Sequence, residues 1–283
     1  AGVLSDHGKS DESIEIFKKA IRIKEQLVKE HPRVPMYASS LSSSYVDLAG
    51  TLRDHGHLDK AIEFFDNAIL IKVQLVKDYP DVLEYAATLA ISYKTLGMAL
   101  VGLQEVDEAI DFYKKAILIE EQLVKDHPDI MEYASSLSSS YNDLAAALSD
   151  DKGKTDEAIE FYQKCIEIKE KLVKEQPDIT EYAISLAKSF YNLGNTLARL
   201  RETDKAIESF QKCIEIKEQL VKEQPDITAY AINLSDPYHN LAIQLIYLGQ
   251  RDKAIELFSK AIPIKERLLI DHPNVRKYAL QLL

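Results

Sequence analysis

The chain has 283 residues, 46% of them hydrophobic and 29% charged, a globular composition well outside the disordered class. Lys and Arg total 35 against 46 Asp and Glu, so the formal net charge is −11, which disfavours nucleic acid as a partner. No apolar run approaches the ~18–20 residues that cross a bilayer, and two cysteines give no disulfide framework, pointing to a reducing, cytoplasmic setting.

Prolines recur at Pro32, Pro80, Pro128, Pro177, Pro225 and Pro273, in steps of 48, 48, 49, 48 and 48 residues. Tyrosines at Tyr37, Tyr85, Tyr133, Tyr182, Tyr230 and Tyr278 keep the same step. The chain therefore reads as a partial unit (1–36), full units 37–84, 85–132, 133–181, 182–229 and 230–277, and a stub at 278–283. The single extra residue falls in Ser149–Gly153, where a turn absorbs it. Ala1-Gly2 aligns with Ala49-Gly50, so the chain reads as a piece of a longer array whose uncapped ends leave room for self-association.

Each unit predicts two helices. Asp81 with Glu84 three residues on has the pattern of a capping box, repeated at Asp129–Glu132 and Asp178–Glu181. Tyr85, Leu89, Tyr93, Leu96, Gly97 and Leu100 then share one helical face. A break follows, with Gly8, Gly56, Gly153 or Gly249 in four of six copies. Asp107 suits the cap of the second helix, whose stripe is Ala109, Ile110, Tyr113, Ala116, Ile117 and Leu123, and the next proline stops it. Helices of about 20 residues with breaks of about 5 and 3 fill the period. Glu121–Lys125, Glu170–Lys174 and Glu218–Lys222 read as exposed i,i+4 pairs.

Tyr93, Leu96-Gly97, Ala109, Tyr113 and Ala116 stand at the spacing of the tetratricopeptide repeat signature, and Tyr45, Leu48, Ala61, Phe65 and Ala68 match it again. The fourth full unit matches with Phe190, Leu193-Gly194, Ala206, Phe210 and Cys213. The chain thus resembles that family, in a long 48-residue form similar to the repeats of kinesin light chains and of sensor arms in signalling ATPases. The extra length is near seven residues, or two turns, per helix, which leaves the apolar faces in phase. The resemblance implies an all-α fold, a right-handed superhelical solenoid of about six stacked antiparallel helix pairs, with first helices lining a concave side.

On the first helices, the positions opposite the core stripe change chemistry from unit to unit. They include Ile91, Lys94 and Met98, then Asn142, then Lys188, Tyr191, Asn195 and Arg199, then His239, Ile243 and Tyr247. A merely solvated face would tolerate such drift. The apolar members are poor choices for water, however, and favour a groove that holds a peptide or an amphipathic helix of a protein partner. Asn142, Lys188, Asn195 and Arg199 form the first place to expect a bound main chain or carboxylate. Lys94 is followed four residues later by Met98, so the Lys–Asn clamp of some co-chaperones is not present.

Signals for chemistry fall away on inspection. Gly8-Lys9-Ser10 and Gly153-Lys154-Thr155 lack the glycine that a phosphate-binding loop places five residues earlier, Val3 and Leu148 standing there, and both read as inter-helix turns. Cys165 and Cys213 replace the signature alanine and read as small buried residues. His55 and His57 beside Asp54 and Asp59 lie in a turn and read as no metal site. The serine-rich stretches Ser39–Ser44 and Ser135–Ser140 have no recurring histidine. Pro237 interrupts a first helix, with Ser235-Asp236-Pro237 able to restart one, and Pro263 interrupts a second helix. The expectation is a scaffold with no catalysis, cofactor or metal, binding a protein segment and neither nucleic acid nor membrane. The alternative is a regulatory or sensor arm of a larger signalling protein.

Overall fold

The computed structural model describes residues 7–149, 151, 153–224 and 228–271, so Ala1-Gly2, Val3, Pro225, His272, Pro273, Tyr278 and the stub 278–283 lie outside the described residues. Helix is the only regular structure among them: α1 (His7–Glu30), α2 (Pro35–Asp54), α3 (Leu58–Asp78), α4 (Leu83–Gly102), α5 (Val106–Asp126), α6 (Met131–Ser149), α7 (Thr155–Glu175), α8 (Thr180–Arg199), α9 (Thr203–Glu223), α10 (Thr228–Ile232), α11 (Ser235–Tyr247) and α12 (Arg251–Asp271). Helices α2 and α3, α4 and α5, α8 and α9, and α11 and α12 pack as antiparallel pairs, and α1, α3, α7 and α9 also pack on the next first helix, α2, α4, α8 and α11. This is an all-α solenoid of stacked helix pairs. Contacts divide it into two units, Ala1–Ala147 and Leu148–Leu283.

The helices are 20 and 21 residues long in the α4–α5 and α8–α9 pairs, as the period required. Both breaks differ from expectation. The turn within a pair takes three residues (103–105, 200–202) and the turn between pairs takes four (127–130, 176–179). The short turn closes with a backbone bond back five residues, Glu105 N–H to Leu100 C=O and Glu202 N–H to Leu197 C=O, the arrangement that needs one left-handed residue. Gly56 (φ 79°) and Gly249 (φ 73°) supply it, as do Gln104 (φ 66°) and Arg201 (φ 60°), which have no glycine's freedom. Gly8-Lys9-Ser10 lies inside α1 rather than in a turn.

The capping boxes do not form. Val82 and Ile179 hold the N-cap positions of α4 and α8 without side-chain caps, because Pro80-Asp81 and Pro177-Asp178 are used up in the preceding turn. Backbone bonds such as Tyr85 N–H to Val82 C=O serve instead. Asp107 likewise sits in the first turn of α5 rather than at its cap, Glu105, where its charge still favours the helix N-terminus.

The expected stripe on α5 is buried throughout: Ala109, Ile110, Tyr113, Ala116, Ile117 and Leu123. Its counterpart on α4 buries Leu89, Leu96, Gly97 and Leu100 and half-buries Tyr85 and Tyr93. The close approach within a pair is set by glycine. A Cβ on Gly97 would come within 2.8 Å of Tyr113 Cε1, and one on Gly194 within 2.7 Å of Phe210 Cε1. At the same step stand Ala49, Ala145 and Ala242, all fully buried, so the position admits nothing beyond a methyl group. Pro237 falls in the first turn of α11, after the five-residue α10, where its missing donor costs nothing. Pro263 lies within α12 without ending it.

Gly194→Ala is expected to lower unfolding stability by about 1–3 kcal/mol through overpacking against the Phe210 ring. Gly50→Ala, with open space around its Cβ on a helix, is expected to raise it by about 0.5–1 kcal/mol. Denaturant titration of both variants checks the pair, and equal effects would discard the close-approach account.

Candidate functional site

In the first unit, α4 carries apolar side chains on both faces. Ile91, Met98 and Val101 stand exposed at 45%, 46% and 40% opposite its core stripe. Lys94 is half-buried among them. Asn142, on α6, departs from expectation: it is only 6% exposed, so it belongs to the packed interior rather than to an open groove. A helical-wheel reading cannot see such burial, because it knows one helix and not the neighbours that cover it.

In the second unit, Lys188, Arg199 and Tyr247 are exposed, and Tyr191, Asn195, His239 and Ile243 are half-buried. Asn195, Arg199, Ile243 and Tyr247 come together with Asn240 around a cavity of about 400 Å³ between α8 and α11, floored by Phe210. Asn240 Nδ2 donates to Asn195 Oδ1 at 2.8 Å and to the Tyr191 hydroxyl at 3.2 Å, so three side chains from two first helices form one polar cluster. Burial pushes the Tyr191 phenol above its ordinary pKa, so it stays protonated. Arg199 Nη2 donates to the Ser149 carbonyl at 2.7 Å, which fixes its guanidinium at the end of α8. His239 stacks edge-on against Phe258, with centroids 5.4 Å apart. Burial and the Lys265 ammonium hold its pKa below the ordinary value, which favours the neutral ring. Lys188 lies on α8 outside the cavity lining, so three of the four residues expected as a polar cluster share the second unit and two share a cavity.

A second group of polar residues went unseen in the pattern. One position of each second helix is occupied by Lys24, Lys72, Glu120, Lys169, Lys217 and Lys265, and it points inward. Lys24 Nζ donates to the Ser40 carbonyl and Ser44 Oγ at 3.1 and 2.6 Å. Lys72 repeats this with Thr88 and Ser92 at 3.0 and 2.8 Å, and Lys169 with Ser185 and Ser189 at 3.2 and 2.9 Å. Lys217 reaches the Asn233 carbonyl at 2.7 Å. Lys24, Lys72 and Lys169 therefore each tie one pair to the first helix of the next, whereas Lys265 faces Asp236 of its own pair. Similar ties join Tyr45 to Glu25, Tyr141 to Glu121 and Tyr238 to Glu218, so Glu121 and Glu218 serve a neighbouring helix.

Glu120 reverses the charge of that position. It is 2% exposed; Oε1 accepts from Ser136 Oγ at 2.5 Å, while Oε2 and the nearby Ser140 Oγ have no hydrogen-bond partner. Burial raises its pKa; the serine hydroxyls, Ser136 foremost, oppose the rise, and the Lys94 ammonium adds a weaker opposing charge. Asp47 stands in the same relation to Lys72, whose pKa burial depresses to about 8. The alignment of units at their 48-residue step exposes this column directly, but amphipathicity alone assigns lysine to solvent.

Cys165 and Cys213 are fully buried free thiols on α7 and α9, and burial pushes Cys213 up to about 11, so it is unreactive. Among the described residues there is no cluster of three or more His, Cys, Asp or Glu able to hold a metal ion, and no helix long and apolar enough to cross a membrane.

The buried charges predict opposite pH signatures. The folded Glu120 carboxyl holds its proton more tightly than the unfolded one, so its ionised form destabilises the fold above the raised pKa and the penalty vanishes as pH falls through 4.5. Glu120→Gln, whose amide can donate to Ser140 Oγ, is expected to exceed the parent by about 1–3 kcal/mol at neutral pH, with the difference shrinking in acid. Lys72 loses its proton more readily when folded, so its contribution to stability rises with pH from about 8 to 10.5, a rise that Lys72→Met should remove. Chemical denaturation across pH 4–10.5 reads both, and a pH-independent difference for either variant would refute its account.

Three family models described as tetratricopeptide repeat match the chain, over residues 88–171, 187–220 and 238–274. No curated protein matches it in sequence. Among solved structures, BtubC (BKLC) from P. vanneervenii superposes with a TM-score of 0.70 at 20% identity, covering 92% of each chain. The apo form of RapI gives 0.63 at 18% identity, over 88% of this chain and 60% of that one. A Podosopora anserina protein described as a kinesin light chain with nearly identical TPR-like repeats gives 0.52 at 21% identity, over 82% and 97%. At such identities the likeness is one of fold.

Proposed function

The chain belongs to the tetratricopeptide repeat family, and from that premise we propose that it is a non-enzymatic protein–protein interaction scaffold that holds a peptide or helical segment of its partner on the first-helix face. The observation that carries this reading is the wall shared by α8 and α11. Asn195 and Asn240 offer amides, Arg199 a fixed guanidinium, and Ile243 and Tyr247 apolar surface, around one cavity of about 400 Å³. Tyr247 is 73% exposed, a cost in water that a bound segment would recover. Ile91, Met98 and Val101 add an apolar stretch on the first unit's face, suited to the nonpolar side of a helix. The polar amides suit main-chain groups, and the aromatic and branched side chains suit side chains of the ligand.

The non-enzymatic reading draws support from the groups of the site, which are amides, a guanidinium and phenols; burial holds the Tyr191 phenol protonated, as it does the Cys213 thiol. The free, buried cysteines fit a reducing, cytoplasmic compartment, and the net charge of −11 speaks against nucleic acid.

A random peptide library panned on the immobilised chain tests the reading. Enriched peptides are expected to lose at least about tenfold in affinity with Ile243→Ser/Tyr247→Ala, equivalent to about 1.4 kcal/mol or more. They should retain it with Leu118→Ser, a change at an exposed position of a second helix. Peptides that bind all three proteins equally would overturn the groove.

A further inference from the structure

Beyond the groove, the end of the α8–α11 wall opens into a second cavity of about 420 Å³, lined by Ala198, Arg199, Arg201, Thr203, Gln244 and Tyr247. Four of these, Ala198, Arg199, Gln244 and Tyr247, also line the groove cavity, so the two adjoin. Gln244 is the telling residue. It is 5% exposed, it faces both cavities, and its side-chain amide has no hydrogen-bond partner among the described residues. The amide is not sealed in the core: it opens on both cavities, where its donor and acceptor stand available to a ligand.

The rest of the wall has one chemical character. Arg201 is exposed, and its guanidinium has no partner among the described residues. Arg199 donates to the Ser149 carbonyl and lines both cavities. Thr203 and Tyr247 contribute hydroxyls, and no carboxylate lines either cavity. Other cavities of the same unit differ: one is lined by Glu167, Glu170 and Glu208, another by Asp204 and Glu256. In a chain of net charge −11, a wall of donors with two guanidiniums and no acid is a local reversal.

We propose that this cavity binds a phosphoryl group, as the dianion of a phosphate monoester, carried by the segment that occupies the adjoining groove. Two guanidiniums match a double negative charge, and the amide and hydroxyl donors match the third oxygen. A carboxylate has two oxygens and one charge, and a single guanidinium satisfies it. The volume exceeds that of the group alone, which leaves room for the carbon of the ester beside Ala198 and the Tyr247 ring. The proposal rests on the groove reading only for the polypeptide that carries the phosphate; the pocket chemistry stands separately.

Calorimetric titration of the intact chain with phenyl phosphate and with benzoate separates these parts. Phenyl phosphate is expected to bind at least tenfold more tightly than benzoate. Arg201→Asn, which tolerates the left-handed backbone at that position, should weaken it tenfold or more with an unchanged melting temperature. Gln244→Met, close in volume, should weaken it several-fold. Equal affinity for the two probes, or phenyl phosphate binding unaffected by Arg201→Asn, would overturn the proposal. A tyrosine-phosphorylated peptide library retained above its unphosphorylated counterpart would support a polypeptide carrier. Phenyl phosphate binding without that preference would keep the phosphoryl pocket and overturn its link to the groove.

Discussion

The aromatic ring that sits over a glycine in the α4–α5 and α8–α9 pairs sets how closely paired helices approach. With Tyr113 Cε1 and Phe210 Cε1 lying where a side-chain carbon of Gly97 or Gly194 would stand, the two helices approach closely enough for three residues to join them. That short turn in turn demands a left-handed residue, met by Gly56 and Gly249 and also by Gln104 and Arg201. A close helix pair with a fixed turn buries one stripe per helix, and the second helix must find its remaining cover on the next pair.

The pair-to-pair contact is where polar groups enter the interior. A lysine that reaches a carbonyl and a serine hydroxyl across the interface satisfies itself on groups that are otherwise awkward within a helix. Burial of the ammonium is unfavourable, as the depressed pKa of Lys72 records, so such contacts fix register more than they add stability. Glu120 keeps the register through Ser136 while inverting the charge, and that hydrogen bond does more than the Lys94 ammonium to offset its burial.

Much of this was legible in the sequence, for physical reasons that also mark its limits. Apolar periodicity gave the helix pairs and the α5 stripe, because burial of apolar surface is what the period encodes, while the breaks between helices came out differently. The caps were misplaced by one residue on α4 and α8 and by two on α5, because prolines and aspartates serve a turn as readily as a cap, and the distinction lies in backbone torsions that composition does not hold. Asn142 was placed on the open face from one helix's geometry, whereas its burial depends on covering neighbours. Asn195, Arg199, Ile243 and Tyr247 were found by the same geometry and do converge; Asn240 and Gln244 were not, since each lies one position round the helix, where the wheel assigns an edge.

That edge position explains how a packed solenoid and a chemically specific surface coexist in one helix. Residues facing the partner helix are fixed by the ring and glycine, and residues facing water are free to drift. Only those between are covered by the protein yet open to a cavity. A polar side chain there is largely covered by the protein yet opens on a cavity, the state in which Gln244 stands. Hydrogen bonds and ion pairs formed at such a place gain from the lower local dielectric and lose little to competing solvent. The proposed groove and its adjoining pocket both lie at that margin between core stripe and open face, where α8 and α11 meet.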